Sequence, residues 1–342
     1  MVHGPTFATF QAAYLAVLRH ITNAHQYEIS TRDKHALEVI NTSFTIANPT
    51  ARTPHLAARR ANVVFNHAEA LWYLAGRDDI EMIGYYASRL RDLATPDGRV
   101  RGTAYGPRLF KADAPDRRSQ FDRVLALLRD DPDAKRAAMI IMRPDELVDP
   151  TNSDVACTLG LQLMRREGRL HAAAYMRGND AVLGLLCDTF SFTFIQEFAA
   201  RLLSSPVGSY AHHVGSMHIN KADLAKVRAI LAEAEQASHQ PARFSAAPMP
   251  LDTSWDTIEE VLLWEADLRH DRRALTPAAF ARLPLAAYWR EVVMLFEVYR
   301  QITHHPGRSV DPATLALLRP GHRWLVEQRW PDRMPAIAGS QP

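Results

Sequence analysis

Cys157 is the strongest candidate nucleophile in this sequence. It stands in the segment Asp154-Val155-Ala156-Cys157-Thr158, directly before a β-like run. A cysteine attacks as the thiolate, which needs positive charge nearby. Arg177 and the pair Lys135-Arg136 would supply that charge if the fold brought them close. A buried, inert cysteine is the alternative that this residue alone leaves open.

Six further motifs flank Cys157 in a fixed order. They are Ser30-Thr31-Arg32-Asp33, His67-Ala68-Glu69 with the apolar run to Gly76, Tyr105-Gly106, Asp131-Pro132-Asp133-Ala134-Lys135-Arg136, Arg177-Gly178-Asn179-Asp180-Ala181-Val182-Leu183-Gly184-Leu185 and Ser216-Met217-His218-Ile219-Asn220. Each has a structural explanation when taken singly, such as a solvated charge, a helix cap for Asp180 or a structural role for His218. Together and in this order they indicate a site.

The ordered series resembles the thymidylate synthase family, which includes the deoxycytidylate and cytidylate hydroxymethylases, over about residues 28–222. The block Arg-x-x-Asp-x-x-Leu-Gly-Leu is its most specific part. The resemblance implies an α+β fold in which helices flank a mixed sheet, and a homodimer with the sheets back to back. It also implies a pyrimidine nucleoside monophosphate as substrate and 5,10-methylenetetrahydrofolate as cofactor.

The resemblance also implies how the nucleotide is held. Cys157 matches the nucleophile that adds to C6, and Arg177 matches the arginine that contacts the phosphate and favours the thiolate. Arg32 matches a phosphate arginine of the first loop. Lys135 and Arg136 match a pair donated to the phosphate site of the other subunit. His218 matches a residue that hydrogen-bonds the ribose.

Three more matches concern the chemistry at C5. Glu69 matches the glutamate that organises water and proton transfer, and Tyr105 matches a tyrosine of the same network. Asp180 matches the aspartate that holds the pterin.

Asp188 is the first of four differences from the family's usual residues, and these differences limit which nucleotide the site would accept. Uracil enzymes of the family carry asparagine at this place and cytosine enzymes carry aspartate. Cytosine presents an N3 acceptor and an N4 donor, which a protonated carboxyl matches; an ionised Asp188 would suit an intermediate protonated at N3. Either way, a dry pocket is expected to raise the pKa of this carboxyl. A helix cap for residues 189–203 is the structural alternative.

The other departures concern sugar and phosphate. Asn220 replaces a tyrosine and leaves room for a 2′-hydroxyl, Lys135 replaces an arginine, and Gly178 replaces a serine. These features resemble the CMP hydroxymethylases of nucleoside-antibiotic pathways of the mildiomycin type. Met176, where the family has glutamine, has no explanation from the sequence.

Methyl transfer and hydroxymethyl transfer differ in whether water reaches the methylene carbon. The stretch Ser88–Leu93 lacks the tryptophans of thymidylate synthases, and the residues from Ala336 onward lack the family's closing segment. Both features favour water capture. The predicted function is a 5-hydroxymethylcytidylate synthase acting on CMP. The alternatives are a dCMP hydroxymethylase, a thymidylate-synthase-like methyltransferase, and an inactive relative that binds nucleotide or a partner.

The elements expected to position these residues follow from pattern. We predict helices over His55–Gly76, Ser119–Arg129, Thr189–Leu203 and 221–237, and strands over Ala137–Met142, Thr158–Arg165, Leu170–Met176 and 209–219. Residues 238–254 are the best linker candidate. We predict a catalytic domain over residues 1–250 and a helical C-terminal extension over 251–342.

Composition sets outer bounds on function. A net charge of +2 over 342 residues gives no sign of a nucleic-acid partner. Two cysteines indicate a reducing compartment and no disulfide framework. The first residues do not resemble a signal peptide, and no apolar run is long enough for a membrane span. These features predict a soluble cytoplasmic protein without a metal centre.

Overall fold

A computed structural model describes residues 4–31, 34–112, 116–236 and 244–336. Its centre is one mixed sheet with the strand order β1-β3-β7-β6-β5-β4, and β2 also pairs with β3. The strands are β1 (Thr6–Phe7), β2 (Tyr27–Thr31), β3 (Lys34–Ile46), β4 (Ala138–Ile140), β5 (Thr158–Arg166), β6 (Arg169–Asp180) and β7 (Val207–Asn220). The pairs β1–β3 and β6–β7 are parallel and the others are antiparallel.

Helices pack against this sheet and continue beyond it. They are α1 (Phe10–Ala24), α2 (Val63–Leu74), α3 (Ile80–Tyr86), α4 (Gly106–Phe110), α5 (Gln120–Asp130), α6 (Gly184–Leu202), α7 (Leu224–Gln236), α8 (Trp255–Arg269), α9 (Pro277–Arg282), α10 (Ala287–His304), α11 (Pro312–Ala316) and α12 (Pro320–Arg329). The predicted α+β class, with a mixed sheet flanked by helices, is confirmed.

Local chemistry explains where these elements begin and end. Ser119 caps α5 through a capping box with Asp122. Glu167 and Gly168 have φ angles of 49° and 73°, as the tight turn between β5 and β6 requires. The prediction that a helix begins at His55 was wrong, because residues 55–61 are irregular with a turn at 57–60, and Asn62 caps the helix by accepting from the Phe65 N–H.

The two faces of the sheet differ. Helices α1 and α6 pack on one face, and α6 is buried along nearly its whole length. The opposite face exposes Ile140 and Tyr175, whose side chains are 61% and 39% accessible. The Tyr175 ring stacks on His213 with centroids 5.0 Å apart, and its hydroxyl donates to Gln162 Oε1.

The C-terminal helices pack on the helices that flank the sheet. Tyr86 on α3 donates its hydroxyl to Glu265 Oε1 on α8 at 2.8 Å, while α10 and α12 contact α2. The backbone N–H of Met249 donates to Glu197 Oε1 on α6, which holds the segment that leads into α8. Apolar residues of these helices join the same buried core as the sheet, and the predicted boundary near residue 250 stays a prediction.

No helix within the described ranges has both the length and the apolar character that crossing a bilayer requires.

Candidate active site

One end of the sheet gathers most of the predicted site residues. Cys157 directly precedes β5, and β6 runs antiparallel to β5, so the end of β6 lies beside it. Strand β7 is parallel to β6 and places His218 opposite Asp180. Strand β3 is antiparallel to β7, so the first residues of β3 reach the same end. Arg32 would precede β3 there, but it lies outside the described residues.

Arg177 is the cation next to the thiol. Its guanidinium Nη2 lies 3.7 Å from Cys157 Sγ. The same group donates to the carbonyls of Ala156 and Val155 at 2.9 Å, and the Arg177 backbone N–H donates to the Cys157 carbonyl at 2.9 Å. These bonds fix the positive charge beside the sulfur, which is the arrangement that favours a thiolate.

Asp154 ties the cysteine loop to the loop that carries Tyr105. Its carboxylate accepts the backbone N–H groups of Arg101, Gly102 and Thr103 at 2.7–2.8 Å, and the Thr103 hydroxyl. A Cβ added at Gly102 would lie 1.8 Å from the Asp154 carbonyl oxygen, so only glycine allows this close approach. The sequence showed neither contact, because the two loops are about fifty residues apart.

Tyr105 is buried at the start of α4, with its ring stacked on Tyr73 at 5.2 Å between centroids. Burial raises the pKa of its hydroxyl well above the usual range, and the charges of Asp188, Cys157 and Glu69 act in the same direction. Tyr105 is therefore within electrostatic reach of all three predicted catalytic groups, and it carries its proton at neutral pH.

Asp188 lies inside α6, four residues after the first residue of the helix. The alternative that it caps this helix is therefore wrong, because α6 begins at Gly184. Burial raises the pKa of the Asp188 carboxyl to about 7, although a hydrogen bond from Asn179 Nδ2 to Oδ2 at 2.7 Å favours the charged form. Near neutral pH the group is divided between acid and carboxylate.

Glu69 is the second acid with a raised pKa. It projects from α2, is 7% exposed and accepts a hydrogen bond from Ser191 Oγ at 3.2 Å. Burial raises the pKa of Glu69 to about 8, and the charge of Asp188 adds to the effect while Arg89 opposes it. Because Asp188 ionises first, its charge then holds Glu69 neutral. Two acids with different proton affinities are suited to different roles.

Asp180, Asn220 and His218 form a group at the ends of β6 and β7. Asp180 Oδ1 accepts the N–H groups of Val182 and Leu183, and Oδ2 accepts from Asn220 Nδ2 at 2.7 Å. Asp180 therefore shapes the turn into α6, and its role in holding the pterin stays a prediction. His218 Nδ1 is buried and has no hydrogen-bond partner among the described residues, and its predicted bond to the ribose stays a prediction.

The fold places some of the residues predicted to bind phosphate near Cys157 and others far from it. Gly178 lies on β6 opposite Ser216, and a Cβ there would meet nothing nearer than 3.7 Å. Lys135 and Arg136 are exposed just before β4, whose first residue Ala138 pairs with Gln162 in the middle of β5. Their separation from Cys157 along the strands is roughly 20 Å. They do not reach the Cys157 of their own chain.

A cluster of basic groups lies beside the acids and fits an anionic cofactor tail. Burial lowers the pKa of Lys226, and the charges of Arg59, Arg329 and Arg60 lower it further. Arg89, over the Phe65 ring, acts on Glu69 and on Arg329. Mutual repulsion of this kind is relieved by bound carboxylates, which a folate carries on its glutamyl part. The sequence did not reveal this cluster because its members come from four distant segments.

Metal ligation has no comparable support. Within the part of the chain that the structure describes, no group of three or more histidine, cysteine, aspartate or glutamate side chains is arranged to hold an ion.

Comparison with known proteins decides the family. Residues 12–249 match the family model described as thymidylate synthase, which is more than half of the chain. The chain belongs to the thymidylate synthase family. Members of this family take their one-carbon unit from 5,10-methylenetetrahydrofolate, so membership confirms the predicted cofactor.

The relatives of this family member include proteins named for hydroxymethyl transfer and proteins named as thymidylate synthases. A deoxyuridylate hydroxymethyltransferase of Bacillus phage SP01 is 32% identical over 202 residues, which is 56% of this chain and 52% of the phage protein. A thymidylate synthase of Symbiobacterium thermophilum is 28% identical over 47% of this chain and 60% of that protein. The matches to the phage hydroxymethyltransferases span about half the length of those relatives.

The solved structure of thermostable thymidylate synthase A from Bacillus subtilis shares the fold. It superposes with a TM-score of 0.56 and 21% identity, covering 70% of this chain and 86% of that chain. The predicted thymidylate-synthase-like fold is thus confirmed. The closer likeness to CMP hydroxymethylases of the mildiomycin type stays a prediction.

Proposed function

We propose that this family member is a 5-hydroxymethylcytidylate synthase, which adds a one-carbon unit to C5 of CMP and captures water. Asp188 is the observation that carries the choice of base. Its side chain is half-buried, burial raises its pKa to about 7, and its charge and that of Cys157 both act on the pKa of Tyr105. A neutral carboxyl offers one donor and one acceptor, which is the complement of the cytosine N3 and N4 edge.

In this proposal Cys157 and Arg177 begin the reaction. The Cys157 thiolate forms a bond to C6, and C5 becomes the nucleophile. When bound, 5,10-methylenetetrahydrofolate supplies the methylene carbon that C5 takes up. Arg177 keeps the thiolate available and offers its outer face to the phosphate. The Cys157–C6 bond breaks in the last step, which restores the ring double bond and the thiolate.

Glu69 and Tyr105 handle protons at the C5 side. Glu69 is neutral at pH 7 because its pKa is about 8, so it can donate a proton and, once ionised, accept one from water. The C5 proton passes to solvent as the bond between the methylene carbon and the folate nitrogen breaks, and Glu69 gives its proton to that nitrogen. The water oxygen then bonds to the methylene carbon, and the water proton passes to the ionised Glu69 carboxylate. Tyr105 contributes a fixed hydroxyl donor near the same atoms.

The sugar preference is the finer part of the proposal. Asn220 uses Nδ2 to hold Asp180, which leaves its amide oxygen to accept a hydrogen bond from a 2′-hydroxyl. Gly178 leaves the space of a missing side chain next to the phosphate position. A deoxycytidylate hydroxymethylase is the second candidate, because the phage relatives are named for a deoxynucleotide substrate.

A substrate panel tests the proposal. The protein is incubated with 5,10-methylenetetrahydrofolate and CMP, dCMP or dUMP, and the product mass is measured. We expect the highest kcat/KM with CMP and a product that has gained CH₂O. A product that has gained CH₂, or turnover of dUMP alone, would overturn the assignment; preference for dCMP would select the second candidate.

We also propose that two chains form a homodimer through the exposed sheet face. Ile140 and Tyr175 give this face its apolar character, and Lys135 and Arg136 lie too far from Cys157 to serve their own site. A dimer with back-to-back sheets would bring this pair to the partner's phosphate site.

Subunit mixing tests this arrangement. Cys157→Ala lacks the nucleophile and the double variant Lys135→Ala/Arg136→Ala lacks the donated cations. We expect both to be inactive alone and to recover activity when mixed, because one site of each hybrid is complete. Absence of recovery, or a monomer in sedimentation, would contradict the shared site.

A further inference from the structure

Asn179 is a buried residue that the proposed mechanism does not use. It lies on β6 between Gly178 and Asp180, and its side chain is 3% exposed. Its Nδ2 lies 2.7 Å from Asp188 Oδ2 and 3.1 Å from Met176 Sδ. Its Oδ1 is buried and has no hydrogen-bond partner among the described residues. The amide thus directs all of its bonding through nitrogen.

The two neighbours fix which way this amide points. A carboxylate oxygen and a thioether sulfur are both acceptors, so the group between them must be a donor with two protons. The NH₂ group meets that need. With the amide reversed, the carbonyl oxygen would face the sulfur lone pairs. This contact also gives Met176 a role, since its thioether holds the amide in the orientation that serves Asp188.

A fixed donor at Oδ2 constrains the proton of Asp188. In a neutral carboxyl the carbonyl oxygen is a much better acceptor than the hydroxyl oxygen. Oδ2 is therefore the carbonyl oxygen, and the proton resides on Oδ1. Without Asn179 the proton would exchange freely between the two oxygens.

We propose that Asn179 is a specificity-determining positioning residue, which selects one base by holding the Asp188 proton on Oδ1. Cytosine and uracil present inverted patterns at positions 3 and 4: acceptor and donor for cytosine, donor and acceptor for uracil. A carboxyl whose proton can move between its two oxygens can pair with both bases. A carboxyl whose proton is held on one oxygen can pair with only one of them. The inference rests on the proposed function for the identity of that base, and Asn179 acts through Asp188 without touching substrate.

Asn179→Leu tests the inference, because it keeps similar volume and removes the amide. The measured quantity is the ratio of kcat/KM for CMP to kcat/KM for UMP. We expect this ratio to move toward unity by about tenfold, the effect of one lost hydrogen bond. The pH above which CMP binding weakens should also rise, because the bond from Asn179 favours the charged form of Asp188.

Two further variants keep the test decisive. Asn66→Leu is the matched control, since Asn66 is a buried amide on α2 whose Oδ1 contacts Cys187 at 3.8 Å. It should leave the ratio unchanged. Asn179→Ser, which is too short to reach Asp188 and adds no apolar volume, should lower the ratio as Asn179→Leu does and stands in if the leucine variant does not fold.

The inference and the proposed function fail in different ways. Wild-type protein that never accepts a cytosine nucleotide would remove the proposed function. A folded Asn179→Leu or Asn179→Ser variant with an unchanged base ratio and an unchanged pH profile would overturn the role of Asn179, whichever base the wild type prefers.

Discussion

The guanidinium of Arg177 lies 3.7 Å from the sulfur of Cys157 and is bonded to the two carbonyls that precede that cysteine. A cation tethered to the backbone of the nucleophile loop cannot move away from the thiol without breaking two hydrogen bonds. It therefore acts on the thiol before any substrate arrives.

Arg177→Gln should slow Cys157 even in the absence of nucleotide. We expect kcat/KM to fall by about 10²–10³, the usual cost of removing one preorganised charged donor. The alkylation rate of Cys157 at neutral pH should fall as well. Arg169→Gln is the control, because Arg169 is exposed at the other end of the same strand and should leave both rates unchanged. Equal alkylation rates in wild type and Arg177→Gln would contradict this role.

Asp188→Asn should exchange the preferred base. We expect kcat/KM to fall for cytosine and rise for uracil nucleotides, each by a factor on the order of 10², because an amide presents the uracil pattern. The competition of CMP and UMP for one enzyme sample measures this directly. Unchanged base preference in the variant would show that Asp188 does not read the base.

The same carboxyl gives a pH dependence with a definite sign. Binding of cytosine requires one proton between Asp188 and the base N3, on either group. The state with ionised Asp188 and neutral cytosine lacks that proton. Because the pKa of Asp188 is raised to about 7, kcat/KM for CMP should fall about tenfold per pH unit above that value. In Asp188→Asn this fall of kcat/KM at high pH should disappear. If the fall persists in the variant, another group causes it.

Glu69 should make the folded protein less stable as pH rises. Burial raises its pKa from 4.5 to about 8, so the folded state binds the proton more tightly than the unfolded state. The stability from this group is complete below pH 4.5 and is lost as pH rises through about 8. The slope is at most about 1.4 kcal/mol per pH unit for one group.

Denaturant unfolding of wild type and Glu69→Gln between about pH 5 and about pH 9 measures this term. Buried His67 and His212, whose pKa values burial lowers to about 3, change stability on the acid side and are common to both proteins. Asp188, whose pKa burial raises to about 7, titrates in the same range in both proteins, so the difference between the two curves measures Glu69 together with its coupling to Asp188. Parallel curves over the whole range would show that the carboxyl is not held neutral.

Gly102→Ala should damage the site through the backbone. The added Cβ would meet the Asp154 carbonyl oxygen at 1.8 Å, and neither backbone can yield without breaking the bonds that the N–H groups of residues 101–103 donate to the Asp154 carboxylate. We expect a loss of about 1–3 kcal/mol in the free energy of unfolding and a fall in kcat. Gly178→Ala, whose Cβ would make only ordinary van der Waals contacts with Ser216, is the stability control. Equal melting temperatures for Gly102→Ala and wild type would be inconsistent with this packing.

Pattern predicted the four strands β4 to β7, where apolar runs lie between turn signals, and missed β1, β2 and β3. The hairpin between β5 and β6 follows from alternation around Glu167-Gly168, and α6 follows from its continuous apolar surface. The predicted start of α2 at His55 was too early, because apolar residues outside a helix were read as part of one. Residues 55–61 are irregular with a turn at 57–60, and the true start depends on the Asn62 cap.

The site was predicted where a motif is contiguous and missed where contacts join distant segments. Arg177, Asp180 and Asp188 lie in one stretch, so their order was informative. Asn179 stands inside that stretch, but its bond to Asp188 depends on how β6 and α6 pack. The contacts of Asp154 and the basic cluster around Lys226 depend on loop placement that no periodicity encodes.

The origin of the new oxygen is the strongest test of the proposed reaction. The protein is given CMP and 5,10-methylenetetrahydrofolate in ¹⁸O-labelled water, and the product is analysed by mass spectrometry. A 5-hydroxymethylcytidylate synthase should give a CMP product that has gained one CH₂O unit and carries solvent ¹⁸O on the new carbon. A CMP product that has gained only CH₂, or no covalent change in CMP while dUMP is converted, would contradict it.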